Sequence, residues 1–269
     1  MTGFSAQWLA LREGYDRNAR NGAVLDALAN AFSGRASIAV VDLACGTGST
    51  LRAIYSRLPV HQDWRLVDND LGLLARAAAL ARPPDLTVCA RAVDHARDLE
   101  LALDGPADMI ATTALLDLVS QQWMDRLAVE AAARRLPVYA ALTYDSRTEL
   151  APAEKLDEAV VAAVNAHQRT DKGFGRALGP DAASAAIRAF RGVGYTIREG
   201  RSDWILEPID DEIQLQLLAG LAIAAGEMGS LATEDIAGWL DRRRAHVSAG
   251  CSTMRVGHRD VLATPIEIL

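Results

Sequence analysis

The chain has 269 residues, half of them apolar, with a formal net charge of −7 and three cysteines. That length and apolar content suit one sizeable core without a second full domain, and the acidic balance argues against a non-specific phosphate-binding surface, so no nucleic-acid partner is expected. Cys45, Cys89 and Cys251 are odd in number and widely spaced, and the histidines show no paired spacing with cysteines or carboxylates, so neither a disulfide framework nor a metal site is expected.

In chain order, residues 5–32 read as helical, with Leu9, Leu25, Leu28 and Phe32 apolar among Arg12, Arg17 and Arg20. This opening stretch lacks the apolar centre of a signal peptide, and no segment reaches membrane-spanning length, so a reducing cytoplasm and no membrane partner are expected. Strand 38–42 leads into a glycine loop and helix 48–57, which Pro59 breaks. Strand 64–67 ends at Asp68. Helix 71–81 is followed by Pro83-Pro84 and strand 86–90; the Gly105-Pro106 turn introduces strand 109–112, and helix 121–135 leads to strand 137–143. This alternation is the rhythm of a doubly wound parallel sheet. Beyond Tyr144 it loosens into helices 153–167 and 181–192, strand 195–198, helices 210–228 and 233–247, and a last strand 253–263. The segment Gly257-His258-Arg259-Asp260 reads as a hairpin turn, and the N-terminal arginines as a solvated helical face.

The most informative run is Asp42-Leu43-Ala44-Cys45-Gly46-Thr47-Gly48. It joins an apolar strand to a helix through a narrow turn at the edge where open α/β sheets bind ligands. A dinucleotide fingerprint would put its third glycine at Leu51, and no Lys-Ser or Lys-Thr pair follows to make a P-loop. The run resembles the first motif of the class I S-adenosylmethionine-dependent methyltransferases, D-x-G-x-G-x-G, with Ala44 in place of the first glycine. The resemblance covers most of the chain and is strongest through about residue 145.

That resemblance implies a Rossmann-like α/β fold with seven strands, mostly parallel with an antiparallel last strand, plus an N-terminal helix and a helical insertion. It implies a single methyltransferase domain over 1–269: a helical cover (1–34), a cofactor-binding half (35–145), an acceptor-side helical region (146–250) and a closing strand (251–269). The implied cofactor is S-adenosyl-L-methionine. Asp42 would lie near its amino group, and Ala44, Gly46, Thr47 and Gly48 would wrap its methionine and ribose portion. Asp68, with Asn69 beside it, would take the ribose hydroxyls, since a carboxylate accepts from both. Asp70 competes for that role but better suits capping the helix that follows. Asp94 corresponds to the acid that accepts the adenine amine, and His95 to a backbone or stacking contact. Thr112 lies in the segment Ile110 to Asp117, which the family places between cofactor methyl and substrate.

The acceptor side is less marked. Asp117 is either a base for a hydroxyl or amine nucleophile or a cap for the helix near Ser120. Tyr144 follows the fifth strand and is a pocket wall or hydrogen-bond donor. The segment 165–175 is either a lid, with His167 as base and Arg169 or Lys172 holding an anion, or a helix end followed by a turn. No N-P-P-Y type signature follows the fourth strand, which lowers adenine or glutamine as acceptor. The expected activity is methyl transfer to the oxygen, nitrogen or carbon of a small molecule. An aminopropyl-transfer relative and a non-catalytic cofactor-binding scaffold are the alternatives. The helix near Leu215 packs within the monomer or at a dimer seam, so the oligomeric state stays open.

Overall fold

The computed structural model describes residues 4–79 and 83–266. Two helices open the chain where the sequence suggests one: α1 (Ala6–Ala19) and α2 (Gly22–Ala31). The break falls at Arg20-Asn21, where Asn21 caps α2 by accepting from the Val24 amide at 3.1 Å. There follow β1 (Ser37–Leu43), α3 (Ser49–Ile54), β2 (His61–Asp68), α4 (Leu71–Ala78), β3 (Leu86–Ala92), α5 (Leu99–Ala102), β4 (Met109–Thr113), α6 (Gln121–Arg134) and β5 (Val138–Ala151). The expected end of α4 at residues 80–81 lies outside the described residues. The second half contains α7 (Asp157–His167), α8 (Ala182–Gly192), β6 (Tyr195–Arg201), β7 (Trp204–Leu206), α9 (Asp211–Met228), α10 (Thr233–Ser248) and β8 (Thr253–Pro265).

The sheet runs in the order β3-β2-β1-β4-β5-β8-β6. The first five are parallel, and β8 lies antiparallel between β5 and β6, as expected of a last strand. An eighth strand is added to the expected seven: β7 pairs with β8, placing Trp204 opposite Val256. Three residues carry too little alternation to signal a strand.

Alternate residues of β1 face opposite cores, as the two-residue period of a strand demands. Val41 and Leu43 pack with α5, α6 and α8; Ile38 and Val40 pack with α2, α3 and α4. Both faces are therefore covered, which is why these strands read as continuous apolar runs.

The larger departure is β5, which continues from the predicted 137–143 to Ala151. Register shifts between Ala140 and Thr143 and between Tyr144 and Thr148 bend it, with Leu142 and Ser146 at φ of 54° and 80°. The arm beyond the sheet edge pairs with the first half of β8, so that Thr148 through Ala151 face Val256 through Thr253. Helices α7, α9 and α10 pack around it in a third apolar cluster containing Val160, Trp204, Leu218, Trp239 and Met254. Residues 257–260 lie inside β8, not in a turn, and His258 and Asp260 are buried. No helix among the described residues is long and apolar enough to cross a membrane.

Candidate active site

All five parallel strands end at one edge, and the expected cofactor residues lie along it. Asp42 sits in β1, opposite Leu66 of β2 and Ala111 of β4. Its side chain is fully buried and neither carboxylate oxygen has a hydrogen-bond partner. Burial pushes its carboxyl up to about 8, against the opposing pull of Thr50 and the Arg20 guanidinium.

The loop after Asp42 turns through left-handed backbone at Ala44, Gly46 and Gly48, with φ of 54°, 54° and 82°. Glycine adopts this region without cost, whereas Ala44 carries a Cβ there. The loop is braced from β2: Asp68 Oδ2 accepts the Gly46 amide at 2.8 Å, and the Val67 carbonyl accepts the Cys45 amide at 3.0 Å. Asp68 Oδ1 accepts the Asp70 amide at 2.9 Å, and Asn69 beside it is exposed. Asp70 caps α4 through the Gly72 and Leu73 amides, as its place before the helix predicts.

Helix α1 lies over this loop. A Cβ on Gly46 would meet Leu9 Cδ1 at 3.3 Å, and Glu13 binds Arg52, whose Nη1 donates to the Thr47 carbonyl at 2.6 Å. The solvated face expected for the N-terminal arginines is corrected in part: Arg12, Asp16 and Arg20 are buried, while Arg17 is exposed. Arg20 donates to the Tyr139 hydroxyl at 3.0 Å and to Thr113 Oγ1 at 2.9 Å, and Thr113 meets Thr50 at 3.0 Å. Thr112, one residue earlier, is directed into the sheet and donates to the Leu43 carbonyl at 2.9 Å.

Beyond β3, Asp94 is half-exposed and accepts the Ala96 amide at 3.2 Å. His95 is buried; Nδ1 has no partner, and burial holds the imidazole below its ordinary pKa. Its carbonyl accepts from Trp123 Nε1 at 2.7 Å. The segment 165–175 folds back to this point. Phe174 packs 5.5 Å from the His95 ring and 5.6 Å from Trp123, while Asp171 gathers the Gly173 and Gly175 amides.

Asp117 follows β4. Helix α6 is capped by Ser120, which accepts the Trp123 amide at 3.3 Å, so Asp117 is free of the capping role. Its Oδ1 is buried without a partner, and burial pushes the carboxyl up to about 6, partly offset by its own amide, Arg12 and the Tyr144 amide. The Tyr144 hydroxyl donates to Asn165 Oδ1 at 2.9 Å, and its ring stands 6.3 Å from His258. The structure therefore gathers Asp42, Asp68, Asp94 and His95 with the glycine loop, and Asp117 with Tyr144. It places His167 apart, at the end of α7, with Nε2 2.7 Å from Glu227 of α9.

Three residues at this edge escape the sequence reading. Arg20 is hidden among surface-like arginines, His258 in an apparent turn, and Trp204 in a strand too short to show periodicity.

No protein-family model matches the chain, and no curated protein matches it in sequence. Its fold does match solved structures. One is a cyclopropane-fatty-acyl-phospholipid synthase-like protein from Lactobacillus casei, 15% identical, with 93% of this chain and 98% of that chain covered at a TM-score of 0.50. Another is the YcgJ protein from Bacillus subtilis, 12% identical, with 92% and 100% covered at a TM-score of 0.50. The architecture is the Rossmann-like α/β fold shared with these structures.

Proposed function

We propose that this chain is an S-adenosylmethionine-dependent methyltransferase acting on a small-molecule acceptor. The observation that carries the reading is the Asp42 carboxylate: fully buried, without a hydrogen-bond partner, and set directly before a loop of left-handed backbone. A buried, unpaired carboxylate is costly unless a cationic donor completes it, and an α-ammonium is such a donor. In this reading the backbone of Ala44 to Gly48 cradles the methionine and ribose portion. Asp68 retains lone pairs for the ribose hydroxyls after accepting two amides, with Asn69 alongside. Asp94 and His95 border the adenine.

When bound, the cofactor supplies an activated methyl carbon, whose bond to sulfur breaks with the electron pair going to sulfur as the acceptor atom bonds to the carbon. The chain's own part is to align the acceptor, exclude water and take its proton. Asp117 is the assigned base, since its raised carboxyl pKa stands close to neutral pH and Oδ1 is free to receive a proton. The Tyr144 ring walls the acceptor side.

Incubation with methyl-labelled S-adenosylmethionine and a panel of small hydroxyl, amine and carbon nucleophiles tests this. Label in an acceptor, lost in Asp117→Asn, supports the reading; absence of S-adenosylmethionine binding overturns it.

A further inference from the structure

Around Tyr144 lies a group of side chains, buried except for the half-buried Trp8, that the methyl-donor half does not use. Register places Tyr144 of β5 opposite His258 of β8. The His258 ring stands 5.2 Å from Trp204, which in turn lies 6.4 Å from Trp8 in an edge-on arrangement. Helix α1 contributes Arg12, whose guanidinium sits 4.9 Å from the Trp204 ring centre.

Arg12 binds Asp16 through two hydrogen bonds of 2.9 and 3.1 Å, and Asp16 also accepts from Trp204 Nε1 at 3.1 Å. Its charge is thereby neutralised within the protein. Two polar atoms are left without partners, Asp117 Oδ1 and His258 Nδ1, both on side chains more than nine-tenths buried. The Arg12 charge bears on each of them, and Asp117 also bears on Tyr144, whose ring stands 6.3 Å from His258. A buried polar atom left unmet is costly, so the arrangement favours a partner from outside the chain.

What would complete it follows from what the walls offer. Trp8, Trp204, Tyr144 and the His258 ring present flat apolar surface. The unpartnered Asp117 oxygen calls for a hydrogen-bond donor, and the neutral His258 ring offers one donor and one acceptor nitrogen. Among these side chains no cation is left over for an acceptor carboxylate or phosphate, because Arg12 is matched to Asp16. We infer that this group is the acceptor subsite and that it takes a flat aromatic compound bearing hydroxyl or amine donors and no anionic group, with His258 positioning it. The inference rests on the methyltransferase reading for the word acceptor. In the transfer, the aromatic O–H or N–H bond breaks as oxygen or nitrogen bonds the methyl carbon, and the proton goes to Asp117.

The test is calorimetry on the full chain with tyramine and catechol, and with 3-hydroxybenzoate as the anionic counterpart, each with and without S-adenosylhomocysteine. Tyramine or catechol should bind at least about tenfold more tightly than 3-hydroxybenzoate, and His258→Leu should lose about tenfold while S-adenosylhomocysteine affinity stays within about twofold. As a measurement needing no variant, the imidazole nitrogen resonances of His258 should shift when tyramine is added. Equal binding of 3-hydroxybenzoate, no binding of either donor probe, or an unmoved His258 resonance overturns the inference. Tyramine binding with no binding of S-adenosylhomocysteine supports the subsite and overturns the methyl-donor reading instead.

Discussion

The carboxylate of Asp68 accepts the Gly46 amide at 2.8 Å, so the end of β2 holds the loop that leaves β1. One side chain thus has two tasks, bracing the loop and facing the proposed ribose. Replacing it with Ala orphans the Gly46 and Asp70 amides together, and two such losses at a partly covered site cost about 1–3 kcal/mol. Asp68→Ala is expected to lower stability by that amount in urea unfolding and to weaken S-adenosylhomocysteine binding by about 10- to 100-fold in calorimetry. A variant equally stable and equally tight would remove both tasks.

In the proposed reading Asp42 makes cofactor binding a proton-release reaction. With its folded carboxyl pushed up to about 8 and the unfolded group near 3.8, the free protein retains a proton at neutral pH that the unfolded chain gives up. Asp42's contribution to stability therefore falls as pH rises from about 4 to about 8. A cationic ligand favours the ionised carboxylate, so binding at about pH 7 should release close to one proton, read as a dependence of enthalpy on buffer ionisation enthalpy. Asp42→Asn should abolish that dependence and weaken binding by about tenfold or more.

Ala44 is the one residue of the loop whose side chain opposes its backbone. At a φ of 54°, it adopts a region that costs an L-residue roughly 1–2 kcal/mol. Ala44→Gly relieves that strain while loosening the unfolded chain, and a net gain of about 1 kcal/mol is expected in chemical denaturation. A loss of stability would show that the Ala44 methyl group contributes more than its strain removes.

Phe174 ties the 165–175 segment to the side of the proposed adenine site by packing on His95 and Trp123. Phe174→Ala should cost about 1–2 kcal/mol and red-shift the Trp123 emission as water reaches it. It should also weaken S-adenosylhomocysteine binding if the segment closes over that pocket. Unchanged emission would contradict the packing.

In the proposed mechanism Asp117 gives turnover its pH dependence. A base with its carboxyl pushed up to about 6 is protonated in mild acid, so the single-turnover rate should rise through about pH 6 and level off above about 7. Asp117→Asn should reduce the rate by about 10²- to 10⁴-fold and flatten the profile. A profile unchanged by the substitution would assign the proton to another group.

The half of the fold that carries the proposed cofactor site is legible because its signals are local. Asp42 through Gly48 announce strand, turn and helix within seven residues, and Asp68 is marked by the strand it ends. Asp70 is read correctly as a cap because capping depends on the next three residues alone. The acceptor half is assembled from distant segments. His258 reads as a turn because Gly257 and Asp260 flank it, yet β5 and β7 pair with β8 along this stretch and bury it. Arg12 looks solvated because its partner Asp16 lies one helical turn away and its cover, Trp204, lies far along the chain. The extension of β5 to Ala151 is hidden because Asp145, Ser146, Arg147 and Thr148 are polar; long-range pairing, not propensity, keeps them extended.

The central claim is that the edge beside Asp42 binds S-adenosylmethionine, and equilibrium calorimetry of the full chain with S-adenosylmethionine and S-adenosylhomocysteine tests it most directly. One-to-one binding, with a dissociation constant on the order of micromolar that weakens in both Asp42→Asn and Asp68→Ala, is the predicted result. No binding of either compound at about 1 mM, or binding that both substitutions leave unchanged, would contradict it.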